Sequence, residues 1–542
     1  MSRRRRRKKP KQLDPSQVSE KKESRIGSFG LALKEAFKGS KPGSEERAEI
    51  QRHAEPNPEN KGDVFSRATR TISKLASRSA KIDFVATQYP NRKAGVETEI
   101  VVGFDFGTSS SKVILQDVDR RQAYAVPFPG VAPSGHDYLL PTKVFVDQDG
   151  VFSFSAQKHE LSLLKNKLFA GTSHVATRGQ PNVAPEIAAV AYFTLALREA
   201  RQYFMRSVAR DVAPGTIIWS INVGLPEKSR QQRKSRLLEI CALAGWECSV
   251  WNDSVTIDLA QYWFEEISRA KGEAADLAYI EDEDRDLHPD QVVAVPEVVA
   301  QVQGYARSDL RRTGLHMMVD VGATTLDAST FTLFDRDHED RYTIWESQVA
   351  LLGALSLHMH RLRGVSKSLN AHLRKMIGKV DTVSATPSRK EMVPNFTEED
   401  IHGIESDFAN KAGVLLANMV TDTHKHKNPK APEWREGLRV FLCGGGRGIP
   451  LYRKRLETLP GADDCKGPYS WLAPFQFLEL PKPDNLHAPQ LVPSDYHRLA
   501  VAYGLSFRFE DIGGYEEGPE IDDDEKESER NWQASFVGPE LT

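Results

Sequence analysis

Two segments share one order of residue types. Val101-Val102-Gly103-Phe104-Asp105-Phe106-Gly107-Thr108-Ser109-Ser110-Ser111-Lys112 is the first, and Met317-Met318-Val319-Asp320-Val321-Gly322-Ala323-Thr324-Thr325-Leu326-Asp327 is the second. Each is an apolar run, then Asp-x-Gly, then small hydroxyl residues. A carboxylate at the end of a buried strand can point into a cleft and hold hydrated Mg²⁺, a cation that keeps several waters and takes only one or two carboxylates. That gives Asp105 to the metal, with Asp320 sharing it or orienting an attacking water. Gly107 lets the backbone approach phosphate oxygens. Amides and hydroxyls of Thr108, Ser109 and Ser110 can cradle those oxygens, and Lys112 adds a positive charge near them. Opposite, Gly322, Thr324 and Thr325 would cover the terminal phosphate, with Asp327 bracing the loop. Taken singly, each segment also fits an ordinary strand–turn–strand. The pair fits a two-sided clamp on a metal–triphosphate.

The elements that must position these groups follow from the pattern. Residues 100–106 form a continuous apolar strand, as expected for one covered on both faces, and 111–117 is its hairpin partner. Further strands are expected at 139–146 and 151–154, with a turn signal at 147–150. A long helix is expected over 187–209, a buried strand over 216–223, and a helix over 231–244 that stops at Gly245. Residues 319–327 open a second half. A buried strand at 438–442 runs into Cys443-Gly444-Gly445-Gly446 and a helix starting near Pro450, where proline fits the first turn. Strands alternate with helices, so the class is α/β.

At 542 residues the chain can hold more than one core, and 39% apolar with 27% charged residues suits a soluble globular protein. No apolar stretch approaches the ~18 residues of a membrane span, and the arginine-rich start has no apolar core behind it, unlike a secretory signal. Cys241, Cys248, Cys443 and Cys465 lack metal-type spacing and read as ordinary thiols of a reducing cytosol. The net charge of −2 hides segregation. Residues 1–97 hold 24 Lys+Arg and 12 Asp+Glu, a net of +12, which leaves −14 for the rest. Residues 511–542 hold 11 acidic and 2 basic residues, a net of −9. The leader opens with seven consecutive cations, Arg3 to Lys9, which fit nucleic acid, acidic lipid or an acidic partner, or a nuclear address in a eukaryote. Two short helices, 26–37 and 64–82, are expected behind it. The expected domains are the leader 1–97, a first lobe 98–226, a second lobe 227–510 with an insertion at about 250–290, and an acidic disordered tail 511–542.

Across roughly 98–510 the sequence resembles the actin, heat-shock-chaperone and sugar-kinase ATPase superfamily, and within it the nucleotide-binding domain of the 70-kDa heat-shock (DnaK-type) chaperones. Asp105-Phe106-Gly107-Thr108 fits the first phosphate motif, and Asp320 to Asp327 the second. Leu140-Pro141-Thr142 with Phe145 resembles the chaperones' next strand. Val223-Gly224-Leu225-Pro226, then Gln232-Arg233 and Ala244-Gly245, follows the connecting segment. Pro296-Glu297 resembles the segment that supplies a carboxylate near the nucleophilic water. Leu352-Gly353-Ala354 resembles the Leu-Gly-Gly after the second motif. Gly444-Gly445-Gly446 with Ile449-Pro450 resembles the adenosine motif, and Ala500-Val501-Ala502-Tyr503-Gly504 the closing helix.

The resemblance implies a two-lobed actin-like ATPase fold, duplicated ribonuclease-H-like domains with ATP or ADP and Mg²⁺ in the cleft between the lobes. Asp105 and Asp320 hold the metal. Glu297 and Asp320 orient the water, and Gly353, Gly444, Gly445, Gly446 and Arg447 lie against the nucleotide, Arg447 along the adenine. Hydrolysis would be in-line attack by water, and loss of the γ-phosphate would let the lobes rotate apart and switch a protein partner.

Four departures shape the expectation. Lys112 stands where actins, not the chaperones, place a phosphate-contacting lysine. The chaperones' lysine lies further on, and Lys165 or Lys167 is its candidate here. Ala323 and Thr324 replace glycines and narrow the second loop, which leaves slow turnover, or binding without turnover, open beside ordinary hydrolysis. Residues 250–290 are an insertion carrying Tyr262-Trp263-Phe264 and Glu281-Asp282-Glu283-Asp284, read either as an extra helix on its own domain or as a partner-docking device. After Gly504 about 38 residues remain, acidic and without a strand pattern, so the chaperones' peptide-binding domain is not expected. The reading is a cytoplasmic, chaperone-like molecular switch. A filament-forming, homo-oligomeric ATPase of the actin type and a small-molecule kinase are the alternatives.

Overall fold

The computed structural model describes residues 97–156, 159–171, 182–209, 216–225, 232–250, 254–272, 287–336, 339–364, 398–460 and 469–519. The basic leader with its two expected helices, the acids 281–284, Cys465 and residues 520–542 lie outside the described residues.

In chain order the first half comprises β1 (Glu97–Asp105), β2 (Ser110–Asp117), β3 (Gln122–Ala125), β4 (Leu140–Pro141), β5 (Lys143–Val146), β6 (Phe152–Ser153), β7 (His159–Ser162), α1 (Leu164–Ala170), α2 (Pro185–Tyr203), β8 (Thr216–Leu225), α3 (Gln232–Ser249), α4 (Ile257–Gly272) and β9 (Leu287–Pro296). The second half comprises α5 (Glu297–Gln301), α6 (Gln303–Ala306), β10 (Gly314–Val321), β11 (Leu326–Arg336), β12 (Glu339–Ala350), α7 (Ala354–Gly364), α8 (Glu398–Asp422), α9 (Glu433–Glu436), β13 (Arg439–Cys443), α10 (Pro450–Glu457), β14 (Gln476–Leu478), β15 (Leu486–His487), α11 (Ala500–Leu505) and β16 (Gly514–Glu517).

The class is mixed α/β. One sheet runs β15-β3-β2-β1-β8-β9 with β4 attached to β2, another runs β14-β13-β10-β11-β12-β16, and β6-β5-β7 form a small third. Leaving the small sheet aside, the two large ones are wired alike. In each, the first three strands form an antiparallel meander. In each, a later strand (β8 or β13) then joins the first in parallel, and the next (β9 or β14) joins that one in parallel. Asp105 and Asp320 therefore occupy matching places, last and last but one in the first strand of their sheets.

Burial explains the apolar runs. Ile100 to Phe104 and Leu315 to Val319 are buried throughout, as central strands covered on both faces must be. One core packs α2, α3 and α4 on the first sheet, and a second packs α7, α8 and α10 on the other. A third core joins residues of both sheets through α5, α6 and α11. Close approach there depends on glycine: a Cβ at Gly504 would lie 1.8 Å from the Ala300 carbonyl oxygen. In the first core, Phe104 and Phe106 hold Phe193 at 4.7 and 5.0 Å between ring centroids, fixing α2 under the first loop.

Several expectations shift. The single helix over 187–209 is α2 followed by a π-helical turn at Phe204–Val208. Gly245 does not stop its helix, since α3 runs on to Ser249. A Cβ at Gly245 would lie 2.4 Å from the Phe193 Cβ, so that glycine serves the contact between α2 and α3. Beyond residue 226, helices α3 and α4 pack on the first core and β9 pairs with β8, so the first sheet also draws on Leu287–Pro296. The insertion at 250–290 contains α4 and the start of β9, with Trp263 and Phe264 packed on the first core, which is the reading of an extra helix covering its own domain. The tail is ordered further than expected, because β16 adds in parallel to β12. Cys241, Cys248 and Cys443 are free and buried. Among the described residues no helix is long and apolar enough to cross a membrane.

Candidate functional site

Strand pairing sets the first loop. Asp105 and Lys112 are cross-strand partners of β1 and β2, and the Lys112 ammonium donates to Asp105 Oδ2 at 2.9 Å. Between them Gly107 to Ser109 form the turn. Its shape is held from the residue between β4 and β5: Thr142 Oγ1 donates to the Gly107 carbonyl at 2.7 Å, and the Thr142 amide to the Ser109 carbonyl at 3.0 Å. A Cβ at Gly107 would fall 2.3 Å from the Ser110 carbonyl oxygen, so no side chain fits there.

The second loop is tied to the start of α7. The Gly322 amide donates to the Thr325 carbonyl at 2.9 Å, the Gly353 amide to the Thr324 carbonyl at 3.0 Å, and the Leu355 amide to the Ala323 carbonyl at 2.6 Å. A Cβ at Gly353 would lie 2.6 Å from the Thr324 carbonyl carbon, which makes that glycine a condition of the contact. Thr325 Oγ1 donates to Asp327 Oδ2 at 2.7 Å, so Asp327 does brace this loop.

Helix α1 joins the two. Lys165 is buried, and its Nζ donates to Glu297 Oε1 at 2.7 Å. Lys165 therefore reaches Glu297. Asn166 Nδ2 donates to Thr324 Oγ1 at 3.2 Å, and Thr108 Oγ1 donates to Asn166 Oδ1 at 3.3 Å. One side chain thus spans both loops. Gln301, one helical turn beyond Glu297, donates from Nε2 to Asp320 Oδ2 at 2.7 Å.

Charge crowding shows in the titration. Burial pushes the Asp320 carboxyl up, against the Gln301 hydrogen bond. Burial pushes Asp327 up to about 8, and the carboxylates of Glu297 and Asp320 add to it. Burial works against the Lys165 ammonium, but Glu297 and Asp105 reverse this and hold its pKa above the ordinary lysine value. Glu297 is also raised, by burial first, with Lys165 pulling the other way. A cavity of about 30 Å³ is lined by Glu297, Gln301, Asp320 and Asp327 among others. That is room for water, with polar partners to hold it.

The turn at Gly444–Gly446 packs on the end of β10. The Gly446 amide donates to the Val321 carbonyl at 2.9 Å. Gly444 has φ +82°, and a Cβ on it would lie 2.2 Å from Asp320 Oδ1. Gly445 is exposed, with open space around its Cα. Arg447 is committed elsewhere, its guanidinium holding Glu479 and the Ser494 carbonyl.

The structure thus gathers Asp105, Lys112, Glu297, Asp320 and both hydroxyl loops, with Gly353 and Gly444–Gly446 behind them. Thr142, Asn166 and Gln301 were not anticipated as members. Gln301 was within reach, since an i, i+4 spacing puts it on the Glu297 face of a helix. Nothing in the sequence marks the pairing of Asn166 with loops 58 and 158 positions away.

The residues fit a divalent cation. Asp105, Glu297, Asp320 and Asp327 face Lys112 and Lys165, so fully ionised acids would leave 2 − 4 = −2. Asp327 Oδ1 is buried with no hydrogen-bond partner. No group of three or more His, Cys, Asp or Glu among the described residues forms a ligand cage. Magnesium does not require one when waters and phosphate oxygens complete its shell. The chain matches no protein-family model and no curated protein at a significant level.

Proposed function

We propose that the chain is an ATP-binding, ATP-hydrolysing switch with the two-lobed actin-like fold, each like-wired sheet forming the heart of one lobe. The observation that carries this reading is the pairing of two equivalent Asp-x-Gly loops, bridged by Asn166 and backed by the Lys165–Glu297 contact. Asp105 and Asp320 would hold Mg²⁺, which when bound neutralises charge on the phosphates. Lys112 and Lys165 add positive charge for the same oxygens. Amides of Thr108 to Ser110 and of Ala323 to Thr325 would bind phosphate from either side. Glu297, its pKa raised, can take a proton from a water in the adjoining cavity, while Gln301 keeps the Asp320 carboxylate in place. Most of the rate would come from positioning and charge stabilisation.

Both loops grip the same phosphates, so γ-phosphate loss would release the lobes from one another and alter the surface offered to a protein partner. Single-turnover assay of ATP hydrolysis tests this, with Glu297→Gln beside wild type. Phosphate release by wild type, slowed on the order of 10²-fold in the variant, is expected; equal rates would contradict the assigned role. A second reading, a filament-forming ATPase of the actin type, draws on Lys112 in the first loop. It expects pelleting with ATP and not ADP, and a monomer at high concentration with ATP counts against it.

A further inference from the structure

We infer, resting on the ATP-binding reading, that two hydroxyls behind the phosphate loops belong to positioning residues: Thr142 and Ser356 each hold loop carbonyls from behind, so that the loop amides face the anion.

A loop can meet an anion with either pole of its peptide units. Amides attract phosphate and carbonyl oxygens repel it. In a trans peptide the carbonyl of one residue and the amide of the next point in opposite directions. Whatever holds the carbonyl therefore aims the amide. Gly107 and Gly322 stand in the two loops, and glycine gives a peptide plane the most freedom to turn over. Each plane must be held if its amide is to stay forward.

In the first loop the holder is Thr142. Its Oγ1 donates to the Gly107 carbonyl at 2.7 Å and its amide to the Ser109 carbonyl at 3.0 Å. The Thr108 and Ser110 amides are thereby turned away from it. A threonine hydroxyl has one proton, and here it is spent on Gly107. The 3.2 Å contact with Ser111 Oγ therefore runs from Ser111 to Thr142. Both residues are buried, so solvent does not compete for these protons.

The second loop is held by the start of α7. The carbonyls of Gly322, Ala323 and Thr324 accept from the amides of Ala354, Leu355 and Gly353 at 3.0, 2.6 and 3.0 Å. Ser356 Oγ is a second donor to the Thr324 carbonyl, at 2.7 Å. A helix leaves the amides of its first turn without partners of its own, and here the loop carbonyls take them. The amides of Ala323, Thr324 and Thr325 therefore point the other way. The two loops belong to different sheets and are held by unrelated elements, yet both have their carbonyls taken from behind. A turn closes without such a side-chain donor, whereas amides that must meet an anion need their planes held.

The test is isothermal titration of the full chain with ATP in Mg²⁺, for wild type, Thr142→Val, Thr142→Ser and Ser356→Ala. Thr142→Val keeps the branched shape and loses the proton, and binding weaker by about tenfold or more is expected. Thr142→Ser keeps the hydroxyl and should bind within about threefold of wild type, a rescue that packing alone would not give. Ser356→Ala should weaken binding by roughly three- to tenfold, because Gly353 still holds the same carbonyl. Binding by wild type that either Thr142→Val or Ser356→Ala leaves unchanged overturns this inference alone, as does an equal loss in Thr142→Ser and Thr142→Val. No binding to wild type overturns the ATP-binding reading as well. Should Thr142→Val not fold, Ser356→Ala decides by the same criterion.

Discussion

Lys165 Nζ donates to Glu297 Oε1 at 2.7 Å, joining α1 to the start of α5 across 132 positions of chain. The lysine is buried and the glutamate side chain is 23% exposed, so one face of the pair opens toward the cavity beside Asp320. Replacing Lys165 by Met removes the charge proposed for the phosphates and leaves Glu297 without its cation. Steady-state hydrolysis should fall by roughly 10²–10³-fold, the scale for one preorganised charge. Lys167→Met, outside this contact, should change it less than twofold. Equal losses in both variants would remove Lys165 from the site.

Asn166 is the only side chain among the described residues seen bonded to both Thr108 and Thr324. Its two hydrogen bonds are long and partly exposed, each worth about 0.5–1.5 kcal/mol. Asn166→Ala should weaken ATP binding by roughly three- to tenfold while Tm stays almost unchanged. Calorimetric titration measures this. An unaltered dissociation constant would mean that the bridge does not preorganise the loops.

A pH effect follows from His316, which is fully buried between the rings of Phe331 and Phe441. Burial lowers its pKa to about 4 from 6.5. Between those values the unfolded chain binds a proton that the folded chain does not, so stability is complete above about pH 6.5 and is lost as pH falls toward 4. The loss is on the order of 3 kcal/mol for this one group. Urea midpoints at pH 7 and pH 4.5 should diverge less in His316→Gln than in wild type. The same divergence in both would show that His316 does not titrate in this way.

Gly245 offers a purely structural test. Alanine is the better helix former by about 1 kcal/mol, so an exposed position would gain from Gly245→Ala. Here the added Cβ would lie 2.4 Å from that of Phe193. Overpacking of this kind costs about 1–3 kcal/mol, and the clash should win. A lowered urea midpoint is expected; a raised one would mean that α2 and α3 separate freely.

Much of this architecture was legible in the residues. The apolar runs ending at Asp105 and Asp320 are strands because both of their faces are covered, and continuous apolarity states that directly. The helix start at Pro450 came from a local signal that tertiary packing did not override. Gly245 misled because a glycine that ends a helix and one that admits a neighbouring helix look identical in sequence. The pairing of β9 with β8 was not legible because it forms only after two intervening helices, a contact no local pattern encodes. β16 was missed because Gly514-Tyr515-Glu516-Glu517 has no alternation of its own and borrows its strand geometry from β12. Of the site, the carboxylates and glycines stood out by type and spacing. Asn166 and Thr142 act through folding alone, and only coordinates bring them in.

The central claim is that the two loops hold ATP together with magnesium. Isothermal titration of the full chain with ATP, in Mg²⁺ and again in excess EDTA, with Asp320→Asn as the comparison, tests it most directly. The account predicts one ATP per chain in Mg²⁺, and binding weakened at least tenfold both by EDTA and by Asp320→Asn. No heat of binding to wild type in Mg²⁺, or binding that neither EDTA nor the substitution disturbs, would contradict it.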